Sequence, residues 1–234
     1  MPLFNYYPRS QPSMDKDTEK KIFKYSLLFP VLIVGLFWLV KLAEIVLNID
    51  LAEFGILPLH LEGLPGILLS PFIHGSWDHL LSNSLPFLVL GFALFYFYRN
   101  LAYRILFLIY LLSGLCVWLG GRESYHIGAS GIVYGLASFL FFSGVFRKDA
   151  HLLTIGIIVT FLYGSMFWGI FPIKPDVSWE SHLWGAASGL LLSLYYRHQG
   201  PVRPRASWEK EPEEEDSPDA EWNQPEEEEE EKTV

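Results

Sequence analysis

The apolar residues of this chain are gathered into long runs that short polar stretches separate. A bilayer core about 30 Å thick needs about 20 apolar residues in one helix, and six segments meet this requirement. The predicted spans are approximately 25–47, 79–98, 102–119, 130–146, 152–171 and 182–196. The connection 49–78 carries further apolar pieces, but they are too short and too often broken by Gly and Pro to span. The pattern therefore predicts an all-α polytopic membrane protein with an interfacial first loop.

Composition supports this prediction and separates off a tail. Hydrophobic residues make up 51% of the chain and charged residues 18%, which argues against one small soluble core. The net charge of −9 comes from residues 209–232, which hold 14 acidic and two basic side chains. A Glu/Pro run of this kind cannot bury enough apolar surface to fold. We therefore expect a cytoplasmic N-terminal segment (1–22), a six-helix membrane domain (23–197) and a disordered acidic tail (198–234).

Basic residues predict the orientation. Of the 17 Lys and Arg residues, 14 lie before span 1, after span 6, in the turn between spans 4 and 5, or on either side of the turn between spans 2 and 3. The positive-inside rule then places both termini, and the acidic tail, in the cytoplasm. The chain shows no Arg/Ser-rich mitochondrial leader, so we expect a bacterial plasma (inner) membrane. The lone cysteine, Cys116, excludes an internal disulfide.

Three polar residues inside the spans share one depth. Ser130, His182 and Asn83 lie 17, 15 and 16 residues before the basic residue that ends their span. At 1.5 Å per residue they lie about 25, 22 and 24 Å above the cytoplasmic face. His79 is on the same helix face as Asn83, one turn higher. Because polar groups inside a membrane are costly, a shared level just below the outer surface predicts a site.

The residue types at this level suit acyl transfer. Ser130 is a candidate nucleophile at a helix N-terminus, and His182 is its candidate general base. The Asn83 amide, a His79 ring N–H and the Ser130 backbone N–H are candidate donors to an oxyanion. Tyr134, one turn below Ser130, is placed to pack on the His182 ring and hold its orientation.

Glycines explain how the helices approach each other. Gly131 and Gly135 on span 4, and Gly185 and Gly189 on span 6, form small-xxx-small patterns that permit tight helix packing. We predict that these four residues bring spans 4 and 6 together, and with them Ser130 and His182.

Taken singly, each of these residues has an ordinary explanation. Ser130 alone is more often a packing residue, His182 alone can face interfacial water, and His79 and Asn83 can satisfy each other. A metal site formed by His74, His79 and His182 is a rival chemistry, but no HExxH pattern occurs. The combination at one depth favours the serine site over these alternatives.

Three further residues near the site receive other roles. His126 and Ser124 precede the Ser130 motif, and we expect them to serve the loop. Glu180 lies two residues before His182, and at that spacing the two side chains do not face the same side of a helix.

These motifs resemble those of the rhomboid family of intramembrane serine proteases. The family pattern GxSGxxxG appears as GASGIVYG at 128–135, and HxxGxxxG appears as HLWGAASG at 182–189. The HxxxN pattern appears as HLLSN at 79–83, with His74 at the usual earlier histidine. The resemblance covers roughly residues 23–197. One departure is that 49–78 contains no arginine, whereas many bacterial members carry a Trp-Arg pair in this loop.

The resemblance implies a fold, an activity and roles for residues. It implies a six-helix rhomboid-like bundle that cleaves transmembrane protein substrates in or near their membrane segments, through an acyl-enzyme and without a cofactor or metal. Ser130 and His182 form its dyad without a third acid, and His79 and Asn83, with Gly128 and Tyr134 in support, complete the site.

The resemblance also implies the partners of the protein and one alternative function. The expected partners are transmembrane protein substrates and the lipid bilayer, with no nucleic acid. The alternative function is a catalytically inactive rhomboid-like adaptor that binds client transmembrane helices. A transporter would show internal repeats and broken helices, which are not evident.

The 171–179 connection, with Pro172 and Pro175, is a candidate cap over the site.

Overall fold

The structure is a computed structural model that describes residues 15–162, 168–173 and 177–200. Its α-helices are α1 Lys16–Leu47, α2 Gly66–Leu69, α3 Trp77–Phe97, α4 Ala102–Gly120, α5 Ser130–Arg147, α6 Ala150–Leu162 and α7 Trp179–Tyr195. Short 3₁₀ turns occupy Ala52–Phe54, Leu61–Gly63, Ser70–Phe72 and Trp168–Ile170. The predicted acidic tail from residue 201 onward lies outside the described residues.

The protein is an all-α membrane protein, as its apolar runs predict. Among the described helices, α1, α3, α4 and α5 are long and apolar enough to cross a bilayer. The two other bundle helices are shorter, with 13 residues in α6 and 17 in α7. Each of the six predicted spans corresponds to one of these six helices.

Two span boundaries differ from the prediction. α1 begins at Lys16 rather than near residue 25, because Asp17 and Glu19 in its first turn favour the positive end of the helix dipole. The prediction that span 5 continues to residue 171 is wrong, since Trp168–Ile170 is a separate 3₁₀ turn. Gly169 and Pro172 disfavour a continuing α-helix at this point.

Helix α5 occupies the centre of the bundle, where it packs against α3, α4, α6 and α7. Its Leu136, Phe139 and Leu140 are completely buried. A helix with apolar residues on several faces is stable only when neighbours cover it all round. The central position of α5 therefore follows from its sequence, and it fixes where the polar first turn of α5 lies.

The contact between α5 and α7 depends on glycine. A Cβ atom built on Gly185 would lie 2.8 Å from the carbonyl carbon of Gly131, and one on Gly189 would lie 2.9 Å from the Phe139 nitrogen. Ser138 Oγ also donates a 2.7 Å hydrogen bond to the Ala186 carbonyl across the interface. The two backbones therefore touch, and the N-terminal ends of α5 and α7 lie side by side.

The first loop is ordered against the bundle without spanning it. The Leu59 N–H donates to the Trp118 carbonyl at 3.0 Å, and the Trp118 indole N–H donates to the His60 carbonyl at 2.9 Å. Tyr110 Oη also donates to the Leu68 carbonyl. Leu61 is nonetheless 80% exposed. Ordered backbone with outward apolar side chains fits the interfacial loop that the sequence predicts.

His74 links this loop to the bundle by packing. Its ring is fully buried, 5.3 Å from the Phe37 ring and 5.1 Å from the His79 ring. Neither ring nitrogen reaches a partner with hydrogen-bond geometry in the described part of the chain. Burial lowers the pKa of His74 from 6.5 to about 3; the nearby charges of His79 and Lys41 act in the same direction, and the Phe72 carbonyl offsets part of the effect. His74 is therefore a neutral packing residue.

We predict that Gly185→Ala destabilises the bundle. The added Cβ would lie 3.0 Å or less from Gly131 backbone atoms, which cannot move aside as a side chain can. Overpacking of this kind costs about 1–3 kcal/mol. Thermal unfolding in detergent measures the change. Gly35→Ala is the matched control, because nothing lies within 4 Å of its Cβ and alanine favours a helix. Equal melting temperatures for the two variants would contradict the prediction.

We also predict that acidification destabilises the protein through His74. Above pH 6.5 the ring is neutral in both states, whereas below it the unfolded chain binds a proton that the folded chain resists. Stability is therefore lost as pH falls from 6.5 toward 3, by about 2 kcal/mol at pH 5. Unfolding midpoints at pH 7.5 and pH 5 should differ less in His74→Phe than in the wild type. The same pH dependence in both proteins would refute this role.

Candidate active site

A polar cavity of about 990 Å³ lies at the end of the bundle where α3, α5 and α7 begin. Ser130 is the first residue of α5, and His182 and His79 lie in the first turns of α7 and α3. The predicted site residues that line the cavity are Ser130, His182, His79, Asn83 and Tyr134. Helices α3, α5 and α7 run in the same direction, because α4 and α6 return the chain between them. Their N-termini therefore lie at the same end of the bundle and bring together residues that are distant in sequence.

Local backbone geometry places Ser130 at the start of α5. Gly128 has a φ of +100°, a conformation that residues with a side chain rarely adopt. The Gly128 N–H donates to the Ser70 carbonyl at 2.8 Å, which ties this turn to the first loop. Ser130 is 8% exposed, and its Oγ forms no hydrogen bond within the described residues. The Ser130 and Gly131 N–H groups form no hydrogen bond within the described residues and can act as donors, whereas the Ile132 N–H already donates to the Ala129 carbonyl at 3.0 Å.

His182 is held on two sides. Its Nδ1 lies 2.8 Å from the Gly169 carbonyl oxygen. A carbonyl can only accept, so this nitrogen carries the proton, and in the neutral ring Nε2 keeps its lone pair. The Tyr134 ring stacks on the imidazole with centroids 4.1 Å apart and planes 6° from parallel. This stacking is the contact expected from the position of Tyr134 one turn below Ser130.

His79 and Asn83 lie together on α3. The Asn83 side-chain amide donates to the His79 carbonyl at 2.9 Å, and Ser76 Oγ accepts from the His79 backbone N–H at 3.1 Å. The bond from Asn83 to the His79 carbonyl fixes the orientation of the Asn83 amide and uses one of its two N–H groups. The His79 ring packs against Gly128, where a Cβ would lie 2.5 Å from its Nε2. Gly128 therefore leaves room for His79 beside the start of α5.

The packing glycines lie below the cavity and not in its wall. Gly131, Gly135, Gly185 and Gly189 form the α5–α7 contact described above. His74 lies behind His79, away from the cavity lining. Within the described residues, no three His, Cys, Asp or Glu side chains are grouped as metal ligands.

Gly169 and a polar network in the cavity wall were not predicted from the sequence. His126 Nδ1 lies 2.6 Å from Ser178 Oγ, which lies 2.6 Å from Ser181 Oγ. Burial lowers the pKa of His126, so the ring is neutral near pH 7. These hydrogen bonds join the loop before α5 to the first turn of α7. Sequence spacing carries no signal for a pairing between residues 52 positions apart.

Arg122 and Glu180 form a second link between the same segments. Arg122 Nε lies 3.5 Å from Glu180 Oε1, and the guanidinium donates to the Val177 carbonyl at 2.8 Å. Glu180 is only 2% exposed and faces Arg122, which agrees with its expected position on a different side of α7 from His182. Both links hold the start of the helix that carries His182.

Comparison with known proteins shows which family and which relatives this chain resembles. The Rhomboid domain family model matches residues 62–199, which is more than half of the chain. A protein of Mycobacterium bovis and one of Mycobacterium tuberculosis are each 35% identical over 169 residues, covering 68% of this chain and 70% of the relative. A Mycobacterium leprae protein is 32% identical over 168 residues, covering 68% and 66%.

The names of these relatives assign no function, so they establish kinship and not activity. The matched region contains the starts of α3, α5 and α7 and therefore every residue of the cavity described above. On this match, and with this helical architecture, the chain belongs to the rhomboid family.

Proposed function

We propose that this protein is an intramembrane serine endopeptidase that cleaves transmembrane protein substrates in or near their membrane segments. Ser130 is the nucleophile and His182 is the general base. Membership of the rhomboid family supports a protease-type fold. The cavity that Ser130 and His182 line together supports the assignment of these two residues.

The observation that carries the proposal is the hydrogen bond between His182 Nδ1 and the Gly169 carbonyl. A general base must present a lone pair, and the ring must be held in one tautomer and one orientation. In a Ser-His-Asp triad the carboxylate performs the second task. Here a backbone carbonyl fixes the tautomer and the stacked Tyr134 ring fixes the plane. A dyad can therefore work without a third acidic residue.

The reaction follows from these positions. Ser130 Oγ attacks the substrate carbonyl carbon while His182 Nε2 takes the hydroxyl proton. The C–N bond then breaks, the imidazolium gives its proton to the leaving amine, and an acyl-enzyme remains on Ser130. Water, deprotonated by the same nitrogen, hydrolyses the ester and restores the serine. Ser130 Oγ and His182 Nε2 form no hydrogen bond in the structure, and catalytic hydrogen bonds of this kind often tighten only when substrate binds.

The oxyanion would be stabilised by donors that are already in place. The second N–H of the Asn83 amide is not used by the His79 carbonyl. The His79 ring and the first N–H groups of α5 line the same region, next to Gly128. Donors fixed before the reaction stabilise a developing charge without reorganisation. We assign Asn83 and His79 to this role.

Substrate has to reach the cavity in an extended form, because a helical backbone keeps its carbonyls in hydrogen bonds. Trp168, Phe171 and Ile173 line the cavity beside the site. This segment connects α6 to α7 and is a candidate cap over the bound peptide. Pro175, which the sequence analysis also placed in the cap, lies outside the described residues.

We further propose that the cavity faces the outside of a bacterial plasma membrane and that both termini are cytoplasmic. At the opposite end of the bundle, the Arg147 guanidinium donates to the carbonyls of Arg197 and Gln199 at 3.1 and 2.8 Å. The basic ends of α5 and α7 therefore meet there, and positive charge favours the cytoplasmic side. Release of the substrate ectodomain outside the cell is expected, and release into the cytoplasm would contradict this orientation.

Cleavage of a labelled transmembrane substrate by the purified protein tests the dyad. We predict that Ser130→Ala and His182→Ala each lower the cleavage rate by about 10³-fold or more, and that the double variant is no slower than either one, because the two residues act as a unit. A fluorophosphonate probe should label the wild type and not Ser130→Ala.

Ser138→Ala is the matched control for Ser130→Ala. Ser138 is on the same helix and bonds the Ala186 carbonyl, away from the cavity lining, so this variant should keep cleavage. Wild-type cleavage by Ser130→Ala would show the assignment to be wrong. No labelling and no cleavage by a folded wild-type protein would instead favour the inactive adaptor.

The positioning of His182 by the Gly169 carbonyl can be tested by adding a side chain at Gly169. In Gly169→Ala the added Cβ would lie 2.9 Å from His182 Nδ1 and would also collide with Tyr134 Oη. We predict a kcat about 10–100-fold lower with little change in KM, since orientation of the base and not substrate binding is disturbed. Gly75→Ala is the control, because it lines the same cavity with its nearest neighbour at 3.7 Å. Equal kcat values for the two variants would exclude the positioning role.

A further inference from the structure

A second cavity lies away from the candidate active site, between α1 and α4. Its volume is about 590 Å³, within the range of small-molecule sites. Side chains of both helices form its walls, among them Ile33, Phe37, Phe107 and Tyr110. Pro71 and Phe72 of the first loop close the end nearer the active site. The lining is almost entirely apolar, so neither water nor a polar ligand fits its body.

The cavity walls are held in place and do not result from a detached first helix. α1 is fixed to α3 at two heights. Trp38 Nε1 donates to Ser84 Oγ at 3.1 Å. Pro30 also packs closely on Gly91, where a Cβ atom built on the glycine would lie 3.1 Å from the Pro30 Cγ. At the far end, the Tyr103 ring meets Phe29 edge to face at 5.2 Å. An open apolar groove therefore persists beside a well-packed α1–α3 pair.

Arg104 supplies a positive charge at the far end of this groove. Arg104 lines the cavity and lies in the first turn of α4, which contains no acidic residue. In the described part of the chain its guanidinium makes no ion pair or hydrogen bond. Because α4 runs antiparallel to α3 and α5, this first turn is at the end of the bundle opposite Ser130. A positive charge thus borders an apolar groove at the level of the opposite leaflet.

We propose that this groove binds one acyl chain of an anionic phospholipid from the leaflet opposite the active site, with its phosphate on Arg104. The charge of Arg104 complements a phosphate, and the helix N-terminus of α4 adds positive potential. From Tyr103 to Tyr110 the groove runs about 10 Å along α4, a length that an extended hydrocarbon chain fills. An unfilled apolar groove would lose dispersion contacts on every wall.

The bound chain would also touch residues that support the active site. Phe37 forms one wall of the groove and packs on His74, which packs on His79. Ile132, two residues after Ser130, forms another part of the wall. The lipid would therefore occupy space directly behind α5 and the His74–His79 pair.

Photo-crosslinking of the full chain in nanodiscs tests the site. The probe is a phosphatidylglycerol with a diazirine in one acyl chain, diluted in phosphatidylcholine, and the labelled residues are identified by mass spectrometry. We expect labels to concentrate on Ile33, Phe107 and Tyr110 rather than on Leu32 and Leu39, which are exposed on α1 outside the groove. Uniform labelling of all five would show ordinary annular lipid and overturn the proposal.

Two pairs of variants separate the headgroup from the chain. Arg104→Gln should lower groove labelling about fivefold, the usual effect of one basic residue on an anionic lipid. Arg99→Gln removes an equal charge at the same end, outside the groove, and should leave labelling unchanged. Ile33→Trp should fill the groove and abolish labelling, whereas Leu32→Trp should not. All four are compared at matched thermal stability.

Four results would count against the proposal. Equal labelling by a diazirine phosphatidylcholine would exclude a preference for an anionic lipid. Unchanged labelling of Arg104→Gln would exclude the phosphate contact. Unchanged labelling in a folded Ile33→Trp would exclude the groove as the chain site. Absence of label from Ile33, Phe107 and Tyr110 in the wild-type protein would show that a lipid chain does not occupy the groove. None of these readouts depends on proteolytic activity.

Discussion

The backbone contact between α5 and α7 is the constraint on which the rest of the structure depends. Gly131 faces Gly185 and Gly135 faces Gly189 so closely that no side chain fits between them. This contact fixes the separation of two helices whose first turns carry Ser130 and His182. In a bilayer, where lipid is as apolar as the helix surfaces, close packing of this kind is a main source of association. The glycines that stabilise the bundle therefore also set the geometry of the site.

Several polar groups around the candidate site are paired with partners from other elements. His182 bonds a carbonyl of the α6–α7 connection, His126 bonds Ser178, and Arg122 pairs with Glu180. An unpaired buried polar group costs more in an apolar surrounding than in water-exposed protein. These bonds therefore order the loops above the cavity as well as satisfying them. They hold the start of α7, which carries His182, the proposed base; within the described residues this histidine has no acidic hydrogen-bond partner.

The two cavities described above differ in a way that matches their proposed uses. The larger one is lined by Ser, His, Asn and aromatic side chains at the helix starts, and it suits a polar peptide backbone and water. The other is apolar with one cation at its end, and it suits a lipid. They are separated by Ile132, His74 and His79. A substrate and a bound lipid would therefore act on opposite sides of the same part of α5 and α3.

The sequence by itself determined the helical segments and the motifs, and it predicts a common depth for the candidate residues. Long apolar runs specify helices because the backbone must satisfy its own hydrogen bonds in lipid. Counting residues from basic anchors places Ser130, His182 and Asn83 at one level because helix rise is constant. The α5–α7 contact and the stacking of Tyr134 on His182 also follow from spacing within helices. The assignment of these residues to catalysis remains a proposal.

Only the tertiary structure decided which loop groups reach the site. The Gly169 carbonyl fixes the His182 tautomer, yet a glycine carbonyl has no sequence signature. The His126–Ser178 and Arg122–Glu180 links join segments more than 50 residues apart. His74, which the sequence places only by its motif position, is a buried ring that packs on Phe37 and His79. Local periodicity reports the face and depth of a helical residue, whereas pairing between loops depends on how separate helices meet in space.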